Sequence, residues 1–221
     1  MSVGIVSLWY GHEELLPNWD KLLSVSGWDE FILIDNGSPD GERLAWWAKS
    51  AAANGHPIRL YRHPVNDCVR AVNNGLNLLR SDVMVYMSND VVMTDRQWLA
   101  WLVDGLKPGV MRGPSLRNIH GVRYIDGTTI AFHQQDWQRL AGFSDKFLHP
   151  GYFGDTDFGW RAGVLGIDLQ ECRAGTRDLG SYTASKMEQK PILESWDANQ
   201  ALFLERIKRL DLVREGQADL T

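Results

Sequence analysis

Through the first half of the chain, short apolar runs alternate with longer segments in which apolar positions recur every third or fourth residue. The runs are Val3 to Leu8, Phe31 to Ile34, Ile58 to Tyr61 and Val83 to Met87. Bounded by polar or turn-forming residues, they read as strands, and Val83 to Met87 as one buried on both faces. Between them, His12 to Ser24 sets Leu15, Leu16, Trp19, Leu22 and Leu23 at helical spacing, with Pro17 near its start. Glu42 to Ala53 and Asp67 to Leu79 also read as helices, the former closed by Asn54-Gly55. The order β-α-β-α-β-α-β predicts right-handed crossovers and an α/β fold with a mostly parallel sheet.

The second half is less regular. Asp95 to Leu106, Gln134 to Ala141 and Asp155 to Leu165 are expected helices, the last two stopped by Gly142 and Gly166. Gly109 to Val122 reads as loop with short strands, and Thr128 to His133 and Ile167 to Cys172 as strands. Pro191 to Leu210 is the last helix, with apolar Leu193, Trp196, Leu202, Phe203, Ile207 and Leu210.

One break in the pattern points to chemistry. The run Val83 to Met87 ends abruptly in Ser88-Asn89-Asp90 before a second apolar triplet. In open α/β sheets, ligands sit just beyond the carboxyl ends of the strands. Asp90 is therefore placed to meet a ligand or a metal, or, more plainly, to start a turn or cap the next helix.

Composition narrows the classes. A chain of 221 residues suits one α/β domain with a large core. A net charge of −5 argues against a general nucleic-acid binder. Ten Trp are many for this length, and beyond core packing they suit a site that stacks sugar or base faces. Cys68 and Cys172 give neither a metal spacing nor a disulfide framework, which points to a reducing compartment. No run is long and apolar enough to span a membrane, and the N-terminus opens on a strand rather than a secretory signal. A cytoplasmic location is expected.

Four segments, in order, carry a resemblance. They are Ile32-Leu33-Ile34-Asp35-Asn36-Gly37-Ser38-Pro39-Asp40-Gly41, Asn66 through Asn73-Asn74-Gly75-Leu76, Met87-Ser88-Asn89-Asp90, and Ala141-Gly142-Phe143 followed by Gly154-Asp155-Thr156-Asp157-Phe158-Gly159-Trp160-Arg161-Ala162. Together they resemble the family 2 glycosyltransferases of the GT-A fold, over roughly Val3 to Thr183. The chain departs from the family in four places. Ser88 stands where many members carry the first Asp of a D-x-D motif, and Gly154 where they carry Glu. Cys68 replaces a common Gly, and Asp178 falls where members often place a metal-binding His.

The resemblance implies a Rossmann-like GT-A domain, its central sheet flanked by helices and its acceptor side looped. Residues 1–93 are then the nucleotide-sugar-binding half, 94–190 the acceptor and catalytic half, and 191–210 a C-terminal helix. It also implies a nucleotide-diphospho-sugar donor and a divalent Mn²⁺ or Mg²⁺, since a cation bridging two phosphates and a carboxylate stabilises the leaving charge. Asp90 is the expected metal ligand and Asp178 a second. Asp35 matches the family residue that contacts the nucleoside base, and a carboxylate accepts the N3–H of uracil, which favours UDP. Ser7 and Trp9 would lie beside it, with Trp9 either a stacking surface or core. Asn66, Arg70, Asn73 and Asn74, with Ser88 and Asn89, are expected around the donor, although asparagines near helix ends also serve as caps.

The second half must supply a base, because an acceptor hydroxyl is a weak nucleophile. Asp155 matches the family's catalytic Asp, its plainer role being an N-cap. Asp157 would face elsewhere on the same helix, and Arg161 pairs with phosphate or with Asp157. The expected activity is inverting transfer to an acceptor hydroxyl of a glycan, small molecule, protein or modified nucleic acid. Arg112, Arg117 and Arg123 in one loop are what keeps the nucleic acid in view. The rivals are a non-catalytic binding module of the same fold, favoured by Ser88 and Gly154, and a sugar nucleotidyltransferase. The latter wants a Gly-rich basic loop after the first strand, which Ser7-Leu8-Trp9-Tyr10-Gly11 lacks.

Overall fold

Each apolar run of the first half forms a strand: β1 is Val3–Trp9, β2 Glu30–Asp35, β3 Ile58–Arg62 and β4 Val83–Ser88. Between them lie α1 (Leu16–Leu23), α2 (Gly41–Ala53) and α3 (Cys68–Leu78). Pro17 sits in the first turn of α1, where its missing N–H costs no helical bond. Asp67 caps α3, its carboxylate accepting from the Arg70 N–H at 3.2 Å. This computed structural model describes residues 1–25, 27–39, 41–179 and 189–214.

The second half adds β5 (Val91–Met93), α4 (Trp98–Val103), β6 (Val110–Gly113), β7 (Leu116–Ile119), β8 (Val122–Ile125), β9 (Thr129–His133) and α5 (Gln134–Leu140). It closes with α6 (Gly154–Val164), β10 (Asp168–Glu171), β11 (Thr176–Asp178) and α7 (Gln189–Arg214). α4 is shorter than the Asp95 to Leu106 expected. The Thr94 and Asp95 N–H groups bond the Gly175 carbonyl at 2.6 and 3.1 Å, which holds that end in extended form. β7 and β8 make a hairpin whose two-residue turn, His120-Gly121, has both φ positive (52° and 80°).

Seven strands form one sheet in the order β10-β6-β9-β4-β1-β2-β3. Pairings among β1, β2, β3 and β4 are parallel, as is β10 with β6, whereas β9 runs antiparallel to both neighbours. Alternate strand residues feed two cores. Ile5, Phe31, Leu33, Val83 and Val85 meet α1, α2 and α4 on one face. Val6, Ile32, Ile34, Met84 and Phe132 meet α3, α5 and α6 on the other. Each such side chain contributes about 1.5–3 kcal/mol by leaving water. Gly75 explains how closely α3 lies on the sheet: a Cβ there would stand 2.8 Å from Val6 Cγ1 and 3.0 Å from Ile34 Cγ1.

A third, smaller core ties α7 to the loop before α6 through Phe147, Phe153 and Phe203. Fully buried Asp157 binds Arg161 at 2.8 Å along α6 and Arg206 of α7 at 2.9 Å. No helix among the described residues is long and apolar enough to cross a membrane.

Candidate active site

A cleft of about 280 Å³ opens at the carboxyl ends of β1, β2 and β4 and is closed on its far side by the loop entering α6. Its floor is organised by Asn36. The Asn36 N–H bonds the Trp9 carbonyl at 2.7 Å, its amide donates to Asn66 Oδ1 at 2.7 Å, and its Oδ1 accepts from the Asp67 N–H at 3.0 Å. Three strand and helix ends are thereby locked together beneath the cleft. Leu8, Tyr10, Asn66 and Cys68 line this side. Burial pushes the Cys68 thiol up to about 12, so it is protonated at neutral pH.

β4 ends in the cleft with Ser88, Asn89 and Asp90. The Trp19 indole N–H holds the Asn89 carbonyl at 3.1 Å and so fixes the strand end. The Ser88 hydroxyl donates to Asp90 Oδ1 at 2.5 Å. Beyond Asp90 the chain leaves the sheet as β5 and pairs antiparallel with β11, setting Asp178 opposite Val91, while the Leu179 N–H bonds the Asp90 carbonyl at 3.1 Å. The backbone thus brings Asp90, in the turn between β4 and β5, close to the end of β11 at Asp178; the Asp178 side chain lies outside the described residues. Among the described residues no three His, Cys, Asp or Glu cluster. A buried carboxylate beside a hydroxyl in an open cleft does fit a cation that arrives with a diphosphate, since such ions take one or two protein carboxylates and fill their shell with phosphate and water.

Asp155 faces the same cleft from the second residue of α6. Its Oδ2 accepts from the Gly127 N–H at 3.0 Å, and its Oδ1 from the Thr156 N–H at 2.8 Å. Burial is the strongest influence on its carboxyl and pushes the pKa up to about 6; the Gly127 N–H pulls it down, and the nearby Asp126 charge pushes it up. A carboxylate titrating there is ionised at neutral pH yet more basic than a free Asp. Asp157, two residues on, faces away into its ion pairs with Arg161 and Arg206. Arg161 is spent on Asp157 and on the Leu140 and Gly142 carbonyls, so its expected alternative, a phosphate, is not what it meets.

Asn66, Ser88, Asn89, Asp90 and Asp155 therefore meet in one cleft, and six other residues expected around the donor lie outside its lining. Ser7 is fully buried inside β1, and its hydroxyl has no hydrogen-bond partner among the described residues. Trp9 is core, edge-on to Trp19 at 5.7 Å, and offers the cleft no stacking surface. Asp35 is buried beside the cleft, with Oδ1 accepting from the Ser38 N–H at 2.8 Å and Oδ2 from Arg62 at 2.9 Å. Arg70 points outward near Asp67 at 3.5 Å. Asn74 is exposed in a separate shallow groove with Tyr61 and Arg62. Asn73 acts as a clamp, exchanging two hydrogen bonds (2.8 and 2.9 Å) with the Phe143 backbone, which sets the Phe143 ring in the cleft wall.

The aromatic lining is Tyr10, Tyr86, Phe143 and Tyr152, with no Trp among the lining residues. Tyr86 was hidden because it sits inside an apolar run whose alternate residues face this side. Asn36 lies in a turn-forming segment, where an Asn is as readily a turn former as a contact for a ligand. The three arginines expected in one loop lie on β6, β7 and β8 and are each held by protein: Arg112 by Gln170 and the Asp104 carbonyl, Arg117 by Asp126 at 2.7 Å, and Arg123 by the Leu169 carbonyl. They form no ready phosphate-reading patch.

Comparison with known proteins bears on the fold and the family. No curated protein sequence matches the chain. Among solved structures, the chain is similar to the mannosyltransferase PcManGT from Pyrobaculum calidifontis in complex with GDP-Man and Mn²⁺, with 18% identity, a TM-score of 0.62, and 77% of this chain and 55% of that one covered. It is similar to GalNAc-T7 with UDP, GalNAc and Mn²⁺, with 11% identity, a TM-score of 0.67, and coverage of 78% and 42%. It is also similar to S. aureus TarS in complex with UDP-GlcNAc, with 10% identity, a TM-score of 0.60, and coverage of 85% and 62%. The chain thus spans between 42% and 62% of the length of these proteins. The likeness is one of fold, the GT-A fold. The sequence profile described as Glycosyl transferase family 2 matches residues 12–148, well over half of the chain. It reaches from the loop after β1 into the loop before α6, and on that match the chain belongs to glycosyl transferase family 2.

Proposed function

We propose that this chain is a metal-dependent, inverting glycosyltransferase, with Asp155 as the base and Asp90 as the metal-holding carboxylate. The observation that carries the reading is that these two carboxylates, from opposite halves of the sequence, line one cleft at the strand ends. The acceptor oxygen attacks the anomeric carbon of the donor sugar, and the bond from that carbon to the diphosphate oxygen breaks, its electron pair leaving with the diphosphate. The acceptor proton passes to Asp155, whose two backbone N–H bonds fix the carboxylate and leave lone pairs free. A single displacement of this kind inverts the anomeric centre. A bound Mn²⁺ or Mg²⁺ would neutralise the departing diphosphate; Asp90, the Ser88 hydroxyl and Asp178 across the β5–β11 ladder are the residues that would hold it.

The donor is proposed at the level of a nucleotide-diphosphate sugar. Asp35, on which the uracil reading rested, is engaged by Ser38 and Arg62, so UDP is the first nucleotide to test rather than a preference. PcManGT and GalNAc-T7 hold GDP-Man and UDP respectively, each with Mn²⁺, which supports the donor class and the metal.

The test is nucleotide release from a panel of UDP- and GDP-sugars with Mn²⁺, comparing the natural chain with Asp155→Asn. The variant should lose about 10²–10⁴ in turnover while nucleotide still raises its melting temperature. Full turnover in the variant would remove Asp155 as the base. Nucleotide binding without turnover in the natural chain would favour the non-catalytic module.

A further inference from the structure

Tyr152 lies in the cleft wall three positions before Asp155. Its ring meets Trp196 of α7 edge-on, with centroids 5.0 Å apart. Trp196 meets Phe153 in the same way, also at 5.0 Å, yet remains 40% exposed. An aromatic surface therefore continues out of the cleft from Tyr152 onto α7. The surface is braced. Phe153 packs on Phe203 at 5.7 Å. Asn199 exchanges two hydrogen bonds with the Leu148 backbone at 2.7 and 2.9 Å, and Arg206 joins α7 to Asp157 of α6 at 2.9 Å. Trp196 is thus held in a fixed relation to the helix that carries Asp155, with little rotamer freedom left to lose on binding.

We propose that Tyr152 and Trp196 form the acceptor subsite and that the acceptor is a saccharide, one ring of which rests on this aromatic surface with a hydroxyl turned toward Asp155; this rests on the reading of Asp155 as the base. A pyranose offers a flat face of C–H groups rimmed by hydroxyls, and that pattern suits an aromatic surface with polar neighbours. Such neighbours are present in His149 of the cleft wall and exposed Asp197 beside Trp196. Phosphate-bearing acceptors fit less well, because Arg206, on the same helix as Trp196, is already paired with Asp157.

The experiment titrates protein saturated with UDP or GDP and Mn²⁺ with gluco-, galacto- and manno-configured oligosaccharides of one to six residues, by calorimetry. At least one should bind. Trp196→Ala should weaken that binding about tenfold or more, and Trp196→Phe should restore much of it. Leu204→Ala, at an exposed apolar position two turns further along α7, should bind as the natural chain does. A nucleotide-induced melting shift in each variant establishes that it is folded. Nucleotide binding with no saccharide bound, or a Trp196→Ala variant of undiminished saccharide affinity, would overturn the subsite and leave the donor site standing. Failure of nucleotide binding in the natural chain would overturn both.

Discussion

Asp155 owes its character to competing influences on one carboxylate. Two backbone N–H groups and the start of α6 favour its charge, whereas burial and Asp126 oppose it, and burial prevails. This balance sets the sign of the pH effect. With a folded pKa raised from 3.8 to about 6, the proton is held more tightly in the folded state. That contribution is fully present below the unfolded value and is lost as the pH rises through about 6, where the buried charge then costs about 3 kcal/mol. Turnover should fall on an acidic limb near pH 6, and Asp155→Asn should melt several degrees higher than the natural chain at pH 8 but not at pH 4. A turnover profile flat through pH 6, or equal melting temperatures at pH 8, would contradict the assignment. At this scale the sequence was legible where a carboxylate stood at an element end, as at Asp90 and Asp155. It was opaque where the outcome depended on side-chain partners. Nothing in the order of residues says that Arg62 will claim Asp35, or that Trp9 will turn inward against Trp19.

At the scale of elements, α6, which carries Asp155, is positioned by how closely it can approach the β7–β8 hairpin. A Cβ on Gly159 would stand 2.5 Å from Tyr124 Cβ, 2.7 Å from its Cα and 2.9 Å from the Arg123 carbonyl. Backbone atoms cannot give way as a flexible side-chain end would. Gly159→Ala should therefore force α6 away from β8 and destabilise the fold by about 1–3 kcal/mol, read as a lower urea midpoint. An unchanged midpoint would show that the contact yields freely. The strands of the first half, with α2 and α3, were legible to within a residue or two, because buried parallel strands and amphipathic helices each leave a periodic trace; α1 starts at Leu16, four residues after the His12 expected, because Glu13–Leu15 forms a 3-10 turn. β11 left none: Thr176, Arg177 and Asp178 are polar, and their strand exists only because β5 runs alongside. The short strands β7 and β8 were equally weak signals, fixed by their pairing and by α6 rather than by alternation.

At the scale of the molecule, two halves of different texture meet at one cleft. The regular half supplies the strand ends and Asp90; the looped half supplies Gly127, Tyr152 and Asp155; and α7 braces the looped half through Arg206 on Asp157 and Asn199 on Leu148. The change of pattern midway along the chain is visible in the sequence, but the meeting of Asp90 and Asp155 is not, since it is a property of the assembled sheet. The claim that depends most on that meeting is a donor site completed by metal at Asp90. It is tested most directly by calorimetric titration of UDP and GDP into the natural chain and into Asp90→Ala, each with Mn²⁺ and with chelator. The account predicts that at least one nucleotide binds the natural chain with Mn²⁺, and that its affinity falls about tenfold or more on chelation or in Asp90→Ala. Nucleotide binding that is equally tight in chelator and in the variant, or no nucleotide binding by the folded natural chain, would contradict it.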